Sequence, residues 1–540
     1  MMTPRIERLL LNGRVRTLNA RRPSVTALAL SAGRIVAVSE DSEALRALVT
    51  SETVVDDLEG RAVLPGFVDA HLHWQGTTEG LFTVDLHDVP SRHECAERVA
   101  QFASNSPPGE WILGYGWSQD SWADGCFPSA DDLDAATTDH PVFLKARSGH
   151  AAWVNSLALR LCGVDREMSD PPGGQILRKS DGTPSGVLLE WTAMGLISSR
   201  IPPISVETLA TRMLKAQEYM LRLGLTGFHD FDWRDSFLAL QILHERRELN
   251  LRVVKQVNAE YLESALDLGV RQGFGDEWIR IGNLKIFADG ALGPRTASMI
   301  APYDGEPGNF GIVVTDKEEI LELVGKASAA GFASSVHAIG DRAVHDLLDV
   351  YEQVRRQEAV SGVVRSLRRH RIEHVQLIHP DDVSRLAELD VIASMQPIHA
   401  TSDYPFADRY WGARCAWAYN PRLQLDRGVV VAFGSDSPVE HPSPLLGIHA
   451  AVTRQRRDGS PGPEGWYPAA RLSVDEAVRG YTLGPAYAAG LEDRQGKLEL
   501  GFWADLVVLD RDLYAVPPEE IPALQIVGTM VGGDWKYREF

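Results

Sequence analysis

Cysteine is scarce in this chain of 540 residues. Four are present, Cys95, Cys126, Cys162 and Cys415, scattered and without a Cys-x-x-Cys pair. That argues against a zinc ribbon, a dithiol redox motif and a disulfide framework. Positive charge is also short. The formal net charge is −20, which argues against nucleic acid as a partner, because phosphate binding draws on Lys and Arg. No apolar run is long enough to span a bilayer. The opening "MMTPRIERLLLNGRVRTLN" places charges on both sides of a very short apolar run, unlike a signal peptide or anchor. The expectation is a cytoplasmic protein with no membrane partner. A hydrophobic fraction of 44% is ordinary for a globular chain. The length allows one large domain with an insertion, or two to four domains.

Both ends carry short strands broken by turns. "ERLLLNGRVRTLN" and "SVTALALSAGRIVAVSE" read as hairpins, and "GKLELGFWADLVVLDRD" and "IVGTMVGGDWKYREF" have the same texture. Neither piece can form a core alone, so residues 1–61 and 490–540 are expected to pair into one β-sandwich. Residues 62–75 and 204–489 show strand-like runs alternating with helical stretches, the pattern of a parallel α/β sheet. The strand-like runs are "RAVLPGFVDAHLH", "GLTGFHDF", "LRVVKQVN", "IRIGNLKIFADG", "FASSVHAIGD", "HRIEHVQL", "VIASMQP" and "VVVAFGSDSP". Eight such units predict a (β/α)8 TIM barrel with its active site at the strand C-termini. "LSVDEAVRG" places Ser473 and Glu476 in capping-box spacing at a helix start. Residues 76–203 are too long for a plain loop and are expected to form an inserted α/β cap between the first and second barrel strands.

The first barrel run ends in alternating polar residues. In a strand, residues two apart share a face, so Asp69, His71 and His73 project together. Two imidazoles aimed at one point suit a metal ion, but an isolated His-x-His is as readily a pair of core histidines bonded to backbone. Further candidates stand at the other strand ends: Lys285 on the fourth, His337 on the fifth, His374 on the sixth and Asp436 on the eighth. Polar residues there read as catalytic on a barrel.

The motifs "LPGFVDAHLH", "KIFADGALGPRTA", "VHAIGDRAV", "RIEHVQLI", "FGSDSPV" and "GFWADLVVLD" together resemble the amidohydrolase superfamily. Within it they resemble the amidohydrolase-3 group that includes N-substituted formamide deformylases, over nearly the whole chain. The resemblance implies a centre of two divalent metal ions. His71 and His73 would hold one with Asp436, His337 and His374 would hold the other, and a carbamylated Lys285 would bridge them. An unmodified lysine is a poor ligand because it is protonated, and an ion pair with Asp289 is the alternative for Lys285. Zinc suits mainly imidazole ligands, and iron, manganese or cobalt also fit. The implied activity is hydrolysis of a C–N bond, an amide or N-formyl amine, by a metal-activated hydroxide with Asp436 as general base and then acid. A cyclic-amide or lactone hydrolase, a deaminase, or a non-catalytic binding or regulatory barrel are the alternatives.

Weaker candidates complete the expected site. Asp69 could orient a histidine or bond to backbone. Arg295 could grip a substrate carboxylate or carbonyl, or form a loop salt bridge. His150 and Asn155 could reach down from the insertion. Trp117 and Trp122 could form an apolar wall or pack in a core. Gln396 and His399 follow the seventh strand and face the same opening, while His229 reads as a structural histidine. The partner expected is a small-molecule amide, and a homodimer is the default assembly.

Overall fold

The computed structural model describes residues 5–87, 89–119, 122–146, 151–172 and 174–540. Eight strands form one parallel sheet: β1 Phe67–Leu72, β2 Leu225–Asp230, β3 Arg252–Asn258, β4 Ile279–Phe287, β5 Ser334–Ala338, β6 Arg371–His374, β7 Ile392–Met395 and β8 Val431–Phe433. Neighbours pair in chain order from β1 to β8. Each lies inside one of the eight expected runs. The sheet curls until its two edges meet. Asp436 N donates to His71 O at 2.8 Å and His73 N to Ser437 O at 2.9 Å. Asp69 reinforces this seam, accepting from the His71 amide (3.0 Å), the Ser435 amide (3.1 Å) and the Ser435 hydroxyl (2.6 Å). Gly434 allows the approach, because a Cβ there would lie 2.5 Å from His71 N.

Helices cross between the strands. Lys317–Ala330 starts where the Asp316 side chain accepts from Glu319 N and stops at Gly331, whose φ is 105°. Asp341–Val360 follows β5. The capping box expected at Ser473 and Glu476 is present at the start of Val474–Gly480.

The terminal segments form two further sheets. One runs Arg34–Ser39, Ala27–Ser31, Arg8–Leu11, Val54–Asp57. The other runs Asp534–Arg538, Ile526–Val531, Leu506–Leu509, Ala62–Pro65, Arg14–Arg16, Ser24–Val25. Leu10, Leu28 and Ile35 from the first share a core with Val63, Leu506 and Met530 from the second. The strand Leu506–Leu509 lies antiparallel to Ala62–Pro65, so both ends of the chain build one sheet.

"RAVLPGFVDAHLH" is not one barrel strand but two strands in different sheets, broken at Gly66. Pro65 offers no N–H to continue a ladder. The Gly66 amide turns to Asp505 O at 3.0 Å. A Cβ on Gly66 would meet Thr226 Cγ2 at 2.3 Å, so only glycine passes there. The terminal sheets therefore reach Pro65 rather than ending at residue 61.

β3 is tied to the terminal sheet by a buried bidentate pair. Arg252 Nε and Nη2 reach the Asp505 carboxylate at 2.6 and 3.0 Å, with the rings of Trp503 and Trp278 4.0 and 5.0 Å from the guanidinium. Removing one partner strands the other charge in a dry site. Arg252→Ala is expected to destabilise the fold by about 3–5 kcal/mol, read from chemical denaturation. A loss below about 1 kcal/mol would show that the pair contributes no more than a surface bridge.

Residues Thr77–Arg212 form a compact unit of their own, where 76–203 was expected. Its sheet runs Gln175–Arg178, Pro184–Leu189, Ala151–Val154, Val142–Ala146, Ile112–Trp117, Val84–Asp85. Two expectations are overturned inside it. Trp117 is no substrate wall: it is fully buried with Trp122 and Trp153, and its Nε1 donates to Leu144 O at 2.9 Å. Asn155 is equally occupied. It caps the helix Ser156–Cys162, its Oδ1 taking the Ala158 and Val142 amides and its Nδ2 reaching His140 O. His150 lies outside the described residues. Among the described residues no helix is long and apolar enough to cross a membrane.

Candidate metal centre

Six side chains named from the sequence line one cavity of about 410 Å³ at the C-terminal ends of the barrel strands: His71, His73, Lys285, His337, His374 and Asp436. β1 delivers His71 on its inward face, with His73 just past the strand end. The Nε2 atoms of His71 and His73 stand 3.4 and 3.5 Å from Asp436 Oδ1. The His374 ring lies 4.9 Å from that of His71 and 4.6 Å from that of His337, centre to centre. Ligand atoms of His71, His374 and Asp436 fall within 4.8 Å of one another.

Two of these residues need unusual backbone. His374 has φ 79° and Asp436 has φ 60°. Strict alternation along β6 would send Glu373 and His374 to opposite faces. The left-handed turn at His374 brings both to the barrel interior. Such φ values in residues other than glycine are uncommon and concentrate at functional sites.

Each imidazole has one nitrogen tied to a protein acceptor. His71 Nδ1 bonds Glu373 Oε2 (2.7 Å), His73 Nδ1 bonds Asp232 Oδ1 (2.9 Å), His374 Nδ1 bonds Gln396 Oε1 (2.9 Å) and His337 Nε2 bonds Gly290 O (2.9 Å). This is the arrangement that fixes tautomer and ring orientation in metal-binding histidines. His71 Nε2 is buried without a hydrogen-bond partner. Glu373 in turn pairs with Arg371 at 2.6 Å. Asp232 and Glu373 had not been singled out in the sequence.

Lys285 is the most telling group. It is buried, and its Nζ has no hydrogen-bond partner. It faces the rings of Phe287 and Phe231 at 4.3 and 4.8 Å. The alternative pairing with Asp289 is not what the fold provides, since that carboxylate takes the amides of Ser298, Ile339 and Gly340. Burial lowers the Lys285 amine to about 8, so a useful fraction is neutral near physiological pH. The donor set fits divalent metal: clustered imidazole nitrogens, a carboxylate, and a buried amine that lacks any other partner.

Burial, with the Lys285 charge behind it, holds His71 well below the ordinary imidazole value and His337 down to about 3. His374 is likewise held low by burial and by the neighbouring histidines. Burial opposes charge on His73 too, but the Asp232 bond and the Asp436 charge outweigh it and raise that ring. The depressed group has a folded pKa below its unfolded value near 6.5. Below about pH 6.5 the unfolded chain binds protons that the folded chain does not. In chelator-treated protein the stability tied to these neutral rings is therefore expected to be lost progressively as pH falls from about 6.5 towards 3. The check is its thermal midpoint in half-unit pH steps, with His337→Gln flattening the slope.

The remaining expected residues divide. Asp69 acts on backbone, closing the seam beneath the site, and burial pushes it up to about 7. Gln396 does not face a substrate; it holds His374. Arg295 does not line the cavity: its Nε pairs with Glu306 at 2.8 Å, so the loop salt bridge is the arrangement found. His229 is buried, with Arg371 Nη1 3.0 Å from its Nδ1. His399 does line the cavity, its Nε2 3.7 Å from Asp436 Oδ2. Gln376 presents its amide nitrogen to His399 Nδ1 (2.9 Å) and its amide oxygen to the Tyr419 hydroxyl (3.0 Å). Gln376 and Asp403 also line the cavity and had not been anticipated.

A parallel barrel that gathers imidazoles, a carboxylate and a lysine at its strand ends has the architecture of a metal-dependent hydrolase. The crystal structure of an uncharacterized metal-dependent hydrolase from Pyrococcus furiosus superposes with a TM-score of 0.76 at 31% identity, covering 94% of this chain and 99% of that one. Residues 54–536 match the amidohydrolase family. The chain belongs to that family, in its amidohydrolase-3 group. It is 30% identical over 555 residues to an N-substituted formamide deformylase of Arthrobacter pascens, covering 99% of each. It is 31% identical over 492 residues to a putative amidohydrolase of Bacillus subtilis, covering 90% of this chain and 91% of the other. It is also 31% identical to the protein LONG AFTER FAR-RED 3 of Arabidopsis thaliana, over 98% of this chain and 91% of that one. The family and its metal-dependent relatives support the use of a divalent metal.

Proposed function

We propose that the protein hydrolyses a C–N bond, that of an amide or an N-formyl amine, at a centre of two divalent ions. The observation that carries this reading is Lys285, buried and without a hydrogen-bond partner in a cavity that four histidines line. His71, His73 and Asp436 would hold one ion and His337 and His374 the other, with Lys285 serving both as a carbamate. Bound zinc would lower the pKa of a coordinated water and polarise the substrate carbonyl.

The chain's own groups then divide the work. Burial raises the Asp436 carboxyl, while the charges of His399 and His73 pull it back. Asp436 is thereby suited to take a proton from the attacking water and deliver it to the leaving nitrogen. His399 stands beside that carboxylate, its Nε2 3.7 Å from Oδ2. Phe287, Leu292, Ile339 and Val439 give the cavity apolar walls. The deformylase relative supports an N-formyl substrate.

The test is metal content by elemental analysis, followed by turnover on a panel of N-formyl amines, acyl amides, cyclic amides, lactones and amino-heterocycles, with and without chelator. Two ions per chain and chelator-sensitive cleavage of an open-chain amide are expected. Cleavage confined to lactones or deamination substrates would replace the amide reading by its neighbour on the same scaffold. A metal-loaded protein inert on the whole panel would favour a binding role.

A further inference from the structure

One helix determines the chemistry of the cavity wall outward from the histidines. Pro397–Tyr410 starts directly after Gln396. Gln396 holds His374, His399 faces Asp436, and Asp403 lines the same cavity one turn further on. Residues four apart share a helix face, so Asp403 stands about 6 Å beyond His399 along the axis. Asp403 Oδ2 lies 2.9 Å from the Tyr419 hydroxyl, which anchors it to a buried ring.

Among the described residues no cation pairs with Asp403. Arg456 spends its guanidinium on the carbonyls of Thr401 and Ser402, and Arg295 is held by Glu306. Among the described residues lining the cavity, Lys285 is the one basic side chain other than the histidines. Asp403 thus presents a carboxylate to the cavity between the apolar side chains of Leu292 and Val439.

We propose that Asp403 is a specificity-determining residue: the cavity selects amides that carry a protonated amine beyond the scissile bond and turns away isosteres ending in a carboxylate. This rests on the amide-hydrolase reading above and names its substrate class. Selection works in both directions. An ammonium gains a charge-assisted bond to a carboxylate already positioned by Tyr419, and a carboxylate meets like charge.

The experiment uses metal-loaded full-length protein and three isosteric amides of equal length, ending in an ammonium, a methyl or a carboxylate. Wild-type kcat/KM is expected to favour the ammonium over the methyl by about tenfold and over the carboxylate by about a hundredfold. In Asp403→Asn the ammonium-to-methyl ratio should fall to about one, and in Asp403→Lys the order of the charged pair should reverse. The wild-type series decides the matter even if neither variant folds. Cleavage of all three within about threefold of one another overturns this inference and leaves the hydrolase reading standing. So does an unchanged ratio in folded, metal-loaded Asp403→Asn. A metal-loaded wild type that cleaves none of the three overturns both.

Discussion

Asp436→Asn is expected to lower kcat by about a thousandfold while the protein keeps its fold and most of its metal. The magnitude follows from removing a proton-transfer group, which typically contributes 10²–10⁴-fold. Asparagine is the informative replacement for a backbone reason. Asp436 sits at φ 60°, and asparagine tolerates the left-handed region better than alanine does. Asn also keeps an oxygen in place of Oδ1, which stands 3.4 and 3.5 Å from the two β1 histidines. What it loses is the ability to accept and return a proton. The measurements are turnover on the best amide of the panel, metal content, and substrate affinity by calorimetry. Lost turnover with affinity retained is the signature of an enzyme. Turnover within about tenfold of wild type would remove Asp436 from proton transfer. A protein whose role is binding alone would have no turnover to lose.

The features of this site that were readable in advance are those that depend on strand periodicity. His71 and His73 could be placed together because a period of two brings them to one face, and the eight strands could be found because buried parallel strands read as apolar runs. What alternation could not show is how the strands end. Glu373 lay hidden beside His374, since neighbouring strand residues normally oppose each other. Only the left-handed φ of His374 places both in the interior. Asp232 was missed for a related reason: it lies beyond β2 and reaches His73 from the adjoining turn. Trp117 and Asn155 were misassigned because a tryptophan-rich segment and a polar residue in an insertion carry no mark of direction. In the structure the former is core and the latter a helix cap. The break at Gly66 depended on a contact with Thr226, which is 160 positions away in the chain and visible only after β1 and β2 have paired.

Lys285→Ala is expected to weaken metal binding by at least a hundredfold, and the sign of the change matters more than its size. An ammonium at the centre of four histidines would repel two divalent ions. If Lys285 kept its proton, deleting it should raise metal occupancy or leave it alone. If Lys285 is an anionic carbamate, deleting it removes a negatively charged ligand shared by both ions, and occupancy must fall. The surroundings favour the second course. Burial brings the amine down to about 8, the neutral form is the one that reacts with CO2, and no hydrogen-bond partner competes for Nζ. The Phe287 and Phe231 rings restrict water around it. Equilibrium dialysis against zinc gives occupancy for wild type and variant. Protein loaded with metal under ¹³C-bicarbonate should show a carbamate carbon resonance that the variant lacks. A short carboxylic acid such as acetate should restore part of the variant's metal affinity, because it supplies two oxygens to the space the side chain vacates. Occupancy that rises on deletion would leave the histidines and Asp436 as a site without the bridge.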